Sequence, residues 1–356
     1  MANGDTKRNR HLNLNDIAKR AGVSRSTVSR VLNDDGYVSD ETRQSVQAII
    51  DELGYTPNMG ARMLRTQRTN VIGVVFPHTF RNVFAAGDPH YFATLIQGIA
   101  VTAQQRDYAP VLWIGYSNEA ADSFYRRICQ NRLMDGLIII ASVATEYRLV
   151  DNLLDIGLPF VMIGRPTKYA DQINYVNVDN QQAGRQAVQH LLKLGRRHVA
   201  TLTGDLANAD GFDRLNGYRD MLQSAGIPID ERLIISGAFS RDSGYLGMQQ
   251  LLRQGLPIDG LFAGSDIIAL GAIQAIQEAG LRVPEDISVI GFDDLPMAQT
   301  SEPPLTTMYQ PISQKAETAA ALLLDLIEGK VTAPARISLP ARLVIRDSCG
   351  YLRRPE

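Results

Sequence analysis

Arg25 and Arg30 stand within one short stretch, GVSRSTVSRVLN (residues 22–33), among Ser24, Ser26, Thr27, Ser29 and Asn33. If the stretch is helical, Arg25, Ser26, Ser29, Arg30 and Asn33 share one face, and Val28, Val31 and Leu32 share the other. An arginine fork grips guanine O6 and N7 with two parallel hydrogen bonds, and each such pair discriminates between bases by roughly 1–3 kcal/mol. Small hydroxyls such as those of Ser24, Thr27 and Ser29 suit phosphate contacts, because they let a helix backbone come close. A solvated helix surface carries the same residue types, so the face alone leaves both readings open.

A second polar set follows apolar, strand-like runs: Asp88 and His90, Arg165, Arg214, Ser265-Asp266 and Asp293-Asp294, with the aromatic Phe239. In doubly wound sheets ligands sit at the carboxyl ends of strands. Carboxylates and an arginine converging beside a ring suit a polyhydroxylated ligand. Taken singly, each is read equally well as a surface salt bridge or a strand-end cap. Asp293-Asp294 also has the makings of an acid/base or metal pair in an enzyme. Against that, the five histidines show no HExxH, and neither GxSxG nor GxxxxGK[ST] occurs. Cys129 and Cys349 are far apart with no CxxC, which excludes a disulfide framework and a cysteine metal pair. No enzyme, cofactor or metal is expected, and a reduced cytoplasmic setting is.

What positions these groups is legible in three regimes. Residues 1–12 are polar and basic, and are expected to be a flexible tail. Residues 13–57 form a compact helical unit. In NLNDIAKRAG, Asn13 caps a helix with Asp16 reaching back in a capping box; Gly22 supplies a turn, Ser24 caps a second helix, and DETRQSVQAIIDELG makes a third. Two short helices across a glycine turn are a helix-turn-helix layout, whose second helix enters the major groove. From Val71, short apolar runs alternate with amphipathic helices such as YFATLIQGIAVTAQQR, which predicts parallel sheets with helices on both faces. Nine such runs (71–77, 110–115, 136–142, 159–164, 175–179, 198–204, 232–237, 260–265 and 287–293) suit two sheets better than one, with ARISLPARLVIRD as a closing strand.

The net charge of −2 advertises no polyanion partner, yet residues 1–70 hold 11 Lys and Arg against 8 Asp and Glu. A weakly basic head on an acidic body fits one. The longest apolar run, GLIIIASVA, is far short of the roughly 20 residues a membrane helix needs. The opening residues also lack the apolar segment of a signal peptide, which opposes a secreted solute-binding protein.

LNDIAKRAGVSRSTVSRVLN, followed by YVSDETRQSVQAIIDELGYTPNMGARML, resembles the headpiece and hinge of the lactose/galactose-repressor family of bacterial regulators. DRLNGY (213–218), ALGAIQAIQEAGLRVPEDISVIGFDD (269–294) and PPLTTM (303–308) extend the resemblance through the body, and PFVMIGRP with VNVDN is similar to its maltose-type branch. The resemblance implies a helix-turn-helix headpiece (13–57), a hinge and linker (58–69), a two-lobed body like type I periplasmic binding proteins (70–346) and a C-terminal tail (347–356). It implies base reading by Arg25, Ser26 and Arg30, and backbone contacts by Ser24, Thr27, Ser29, Asn33, Tyr37, Ser39 and Thr42. In the hinge it implies that Leu64 wedges into the minor groove, with Ala61 permitting close approach and Arg65 beside the groove wall. For the effector it implies Arg214, Asp293 and Phe239; Asp88, Arg165 and Asp266 are added from their strand-end positions. Many relatives carry Asn-Asp where this chain has Ser265-Asp266. The expectation is a homodimeric transcriptional regulator, a repressor in type, on a palindromic operator of duplex DNA, controlled by a small molecule. A sugar is favoured and a purine remains open.

Overall fold

The computed structural model describes residues 12–33, 35–55, 68–76, 89–114, 120–130, 133–140, 147–332 and 334–351, without the side chains of Asn33 and Ala121. The chain divides into two compact units, Met1–Thr69 and Asn70–Glu356.

Among the described residues the first unit holds three helices, Leu14–Ala21, Arg25–Asn33 and Asp40–Leu53. Ile17, Ala18, Val28, Val31, Val46 and Ile50 form its core. The capping box is present: Asn13 Oδ1 accepts from the Asn15 N–H at 2.9 Å, and the Asn13 N–H donates to Asp16 Oδ2 at 2.9 Å. Gly22 and Gly54 close the first and third helices in the left-handed conformation, which a residue without Cβ adopts at no steric cost.

The second unit contains two six-stranded sheets. The N-terminal lobe has the order β11-β5-β4-β3-β1-β2, from β1 (Val71–Val75), β2 (Ala109–Trp113), β3 (Gly136–Ile140), β4 (Phe160–Ile163), β5 (Asn174–Val178) and β11 (Arg336–Leu339). The C-terminal lobe has the order β12-β10-β9-β8-β6-β7, from β6 (Val199–Leu202), β7 (Ile234–Ile235), β8 (Gly260–Ala263), β9 (Ser288–Asp293), β10 (Thr306–Tyr309) and β12 (Arg342–Val344). Every pairing is parallel except β10 with β12. Continuous apolar runs such as GLIII and FVMI are buried along their whole length, as strands covered on both faces must be.

Three details differ from expectation. The closing segment is two strands in different sheets, parted at Pro340, which has no N–H to donate to a ladder. Thr306–Tyr309 is an additional strand between β9 and β12; its two buried threonines hide the apolar signal. Finally, β2 is a largely exposed sheet edge rather than a buried strand.

The chain passes between the lobes three times, after β5 at Asp179–Asn180, after β10 at Gln310–Pro311, and between β11 and β12. Helix Ile312–Ile327 packs on the N-terminal lobe, and helix Asn180–Lys193 on the C-terminal lobe.

Helices Asn180–Lys193 and Ala209–Ser224 meet backbone to backbone. A Cβ on Gly184 would lie 2.5 Å from the Arg214 carbonyl oxygen, and one on Gly217 would overlap the Gln181 carbonyl. This close approach fixes where Arg214 leaves its helix. Gly217→Ala should therefore destabilise the body by roughly 1–3 kcal/mol, the usual cost of overpacking. Chemical denaturation checks this, and an unchanged midpoint would show that the helices can separate freely.

Candidate DNA interface and effector cleft

In the first unit the valines of helix Arg25–Asn33 turn inward, and Arg25, Ser26 and Arg30 are exposed. Ser24 Oγ accepts from the Thr27 N–H at 3.1 Å and lies 2.6 Å from Ser26 Oγ and 2.9 Å from Thr27 Oγ1. Ser39 caps the third helix in the same manner, accepting from the Thr42 N–H at 3.4 Å and donating to Thr42 Oγ1 at 2.9 Å. Both serines thus stand at helix N-termini, where unpaired N–H groups and the helix dipole favour an anion. Tyr37 is 91% exposed between them, and Ser29 is half-buried. Ala61, Leu64, Arg65, Asp88 and the side chain of Asn33 lie outside the described residues.

In the second unit Arg214 leaves helix Ala209–Ser224 and is 4% exposed. Its Nε donates to Asn180 Oδ1 at 2.9 Å and an Nη to the Gly264 carbonyl at 2.5 Å. The guanidinium carbon lies 3.5 Å from the Phe292 ring centroid and 5.9 Å from that of Phe239, and Asp293 Oδ1 is 4.0 Å away. Asn180 is held in turn: its Nδ2 donates to the Val178 carbonyl at 3.1 Å and to Asp210 Oδ1 at 2.9 Å. Asp293 has φ +122°, a conformation rare for a side-chain-bearing residue, of the kind that persists where surrounding structure over-determines it. Next to it, Asp294 is paired with Arg346 at 2.6 Å. Half-buried Phe239 lies on Gly204, where a Cβ would collide with the ring.

Arg165 follows β4 in the N-terminal lobe and reaches across to the other lobe. Its Nε and an Nη donate to the two oxygens of Asp213 at 2.8 and 2.6 Å. These bonds, against partial burial, raise the arginine pKa further. Arg165 is therefore a bridge between lobes in this structure.

Asp266 is placed differently from expectation. It is fully buried, its Oδ1 accepts from Thr307 Oγ1 at 2.5 Å, and its Oδ2 accepts from the Leu295 N–H at 2.9 Å. It supports the loop after β9 instead of lining the cleft surface. Ser265 is likewise occupied, capping helix Asp266–Glu278 through the Ile268 N–H at 3.4 Å. The structure thus brings together Arg214, Asp293 and Phe239, pairs Arg165 with Asp213 across the lobes and buries Asp266. Asn180, Asp213 and Gln310 were not singled out from sequence. Asn180 and Gln310 each stand one or two positions beyond a strand, immediately before or within a crossover, and that placement is the signal that marks them. Among the described residues no group of three or more His, Cys, Asp or Glu is placed to hold a metal, and no helix is long and apolar enough to cross a membrane.

Comparison with known proteins agrees with both halves. Residues 13–58 match the model for bacterial regulatory proteins of the lacI family, and residues 188–349 match a periplasmic binding protein-like domain. The HTH-type transcriptional regulator CelR of Thermobifida fusca is 38% identical over 343 residues, covering 96% of this chain and 99% of that protein. A solved complex of the transcriptional regulator CelR with cellobiose is similar at 35% identity and a TM-score of 0.73, over 95% of this chain and 99% of that one. The lac repressor dimer bound to operator and the anti-inducer ONPF is similar at 30% identity and a TM-score of 0.79, over 96% and 99% of the two chains.

Burial first, and then the charge of Asp293, pushes Asp266 well above its usual carboxylate value of 3.8. Between that value and the raised one the folded chain keeps a proton that the unfolded chain releases. The stabilisation is complete on the acid side and is lost as pH rises through the folded value. Asp266→Asn cannot titrate, so its thermal midpoint should gain on the parent as pH rises from about 4.5 to 7.5. Parallel midpoint profiles for the two proteins would refute a proton held at Asp266.

Proposed function

The chain belongs to the lacI family of bacterial regulatory proteins and is a DNA-binding transcriptional regulator, and from that premise we propose that it acts as a homodimer on an inverted-repeat operator under the control of a sugar. The observation that carries the DNA half is helix Arg25–Asn33, which turns Arg25, Ser26 and Arg30 outward from a closed apolar core. Arg25 and Arg30 read guanine edges and Ser26 adjoins them. Ser24 and Ser39 at their helix N-termini, with Thr27, Ser29, Tyr37 and Thr42, contact phosphates. One headpiece reads only a few base pairs, so two copies meet two half-sites across a dyad. The exposed edge strand β2 supports pairing of bodies: Val111 and Leu112 within it and Ile114 just after it are 43%, 41% and 38% exposed.

The effector enters between the lobes. Arg214 and Asp293 supply a donor and an acceptor for ring hydroxyls, and Phe239 supplies an apolar face. Cellobiose, seen in the complex of the related CelR, is the first candidate. A ligand moves the protein between states only by binding one of them better, and a ligand held by Arg214, Asp293 and Phe239 of the C-terminal lobe gains that difference where the N-terminal lobe also closes on it.

Two measurements test this. In mobility shifts, Arg25→Ala should relax preference at one or two base positions, at about 1–3 kcal/mol per lost pair. A uniform loss on every sequence would make Arg25 a phosphate contact. In thermal shifts, cellobiose should raise the melting temperature of the parent but not of Arg214→Ala, since only a ligand of the native state stabilises it. A shift with purine bases and none with sugars would overturn the sugar.

A further inference from the structure

Helix Ile312–Ile327 packs an apolar stripe on the N-terminal lobe, yet one buried position of that helix is a lysine. Lys315 is 2% exposed and lies between Ile312, Ala316 and Ala319, all buried. Its ammonium donates to Tyr91 Oη at 2.9 Å and to Gln310 Oε1 at 3.0 Å, and lies 5.1 Å from the Tyr91 ring centroid. Gln310, equally buried, donates from Nε2 to Asp293 Oδ1, and its backbone N–H donates to the Asp293 carbonyl at 3.3 Å. Four side chains thus form an unbroken line. It runs from helix Pro89–Gln104 of the N-terminal lobe, across the Gln310–Pro311 crossover, to Asp293 at the end of β9.

The chemistry of the line admits one polarity. An ammonium can only donate and a carboxylate can only accept. A glutamine between them must turn its oxygen to Lys315 and its NH2 to Asp293. A buried ammonium whose hydrogen-bond partners are neutral is costly, and a carboxylate one residue beyond offsets that cost. Among the described residues, the titratable and charged groups near Asp293 include Arg214 at 4.0 Å, the buried Asp266 with its raised pKa, Asp294 with its partner Arg346, and Lys315 through Gln310.

We propose that Lys315 is a positioning residue of the effector site: it keeps Asp293 ionised and Gln310 in one orientation, so the cleft meets its ligand with a fixed hydroxyl acceptor. The ligand half rests on the sugar reading above; the effect of Lys315 on Asp293 does not.

The test uses the full chain in four forms: parent, Lys315→Met, Asp293→Asn and the double variant. Calorimetric titration with cellobiose should show Lys315→Met weakened about ten-fold or more, the usual consequence of losing a charge-assisted hydrogen bond. Thermal unfolding without ligand should show Lys315→Met losing more stability near pH 7.5 than near pH 5, because its Asp293 then holds a proton more tightly when folded. That difference should vanish in the Asp293→Asn background. A loss of equal size at both pH values in both backgrounds is simple packing, and overturns the proposal whether or not cellobiose binds. If the parent binds no sugar but the unfolding cycle shows the Asp293-dependent difference, the sugar falls and the role of Lys315 stands. Should Lys315→Met fail to fold, Lys315→Gln removes the charge while keeping a donor, and the same cycle decides.

Discussion

Removing the Arg214 guanidinium from water costs several kcal/mol unless hydrogen bonds and opposite charge replace its hydration. Its replacements come from distant parts of the chain. Asn180 stands at the first crossover, the Gly264 carbonyl follows β8, and Phe292 and Asp293 end β9. Each replacement is itself held, Asn180 by Asp210 and Val178, and Asp293 by Gln310. Because Asn180, and the Gln310 that holds Asp293, sit where the chain passes between lobes, a change in lobe angle changes the surroundings of the charge. A ligand that supplies hydrogen bonds to Arg214 or Asp293 in one arrangement and not the other therefore biases the lobes. The Arg165–Asp213 bridge is a second tie across the same gap.

The headpiece is organised on a different scale. Its core is a handful of apolar side chains from three helices. A unit so small buries a low fraction of its surface and stays marginal. Its helix ends are accordingly well capped, by Asn13 with Asp16, by Ser24, by Ser39, and by Gly22 and Gly54. In the proposed interface the same serine hydroxyls that satisfy the helix N-termini also meet phosphate oxygens. On that proposal stability and recognition draw on the same atoms, and a serine-to-alanine change at Ser24 or Ser39 touches both.

The element pattern was readable from sequence wherever periodicity was strong. The headpiece caps, the alternation of strands and helices, and the division into two sheets follow from local spacing. Thr306–Tyr309 escaped because two threonines stand in its buried positions. The closing stretch ARISLPARLVIRD reads as one strand, and nothing local says that the pieces on either side of Pro340 belong to different sheets. Among candidate site residues, Asp293 is marked by its strand end in GFDD and Arg214 by the motif DRLNGY. Lys315 escaped, although it is a charge amid the buried apolar positions of its helix.

The amino-acid order by itself therefore determined which elements form, which faces are apolar and which side chains are candidates, because helix and strand periods act over a few residues. Only the tertiary structure decided that Arg165 meets Asp213, that Asp266 turns inward to Thr307 and Leu295, and that Tyr91, Lys315, Gln310 and Asp293 join in one line. Those contacts join residues well separated along the chain, Arg165 and Asp213 48 apart and Tyr91 and Lys315 224 apart, which only the packing of elements and the crossovers between lobes bring within hydrogen-bonding distance. Local spacing carries no record of such encounters.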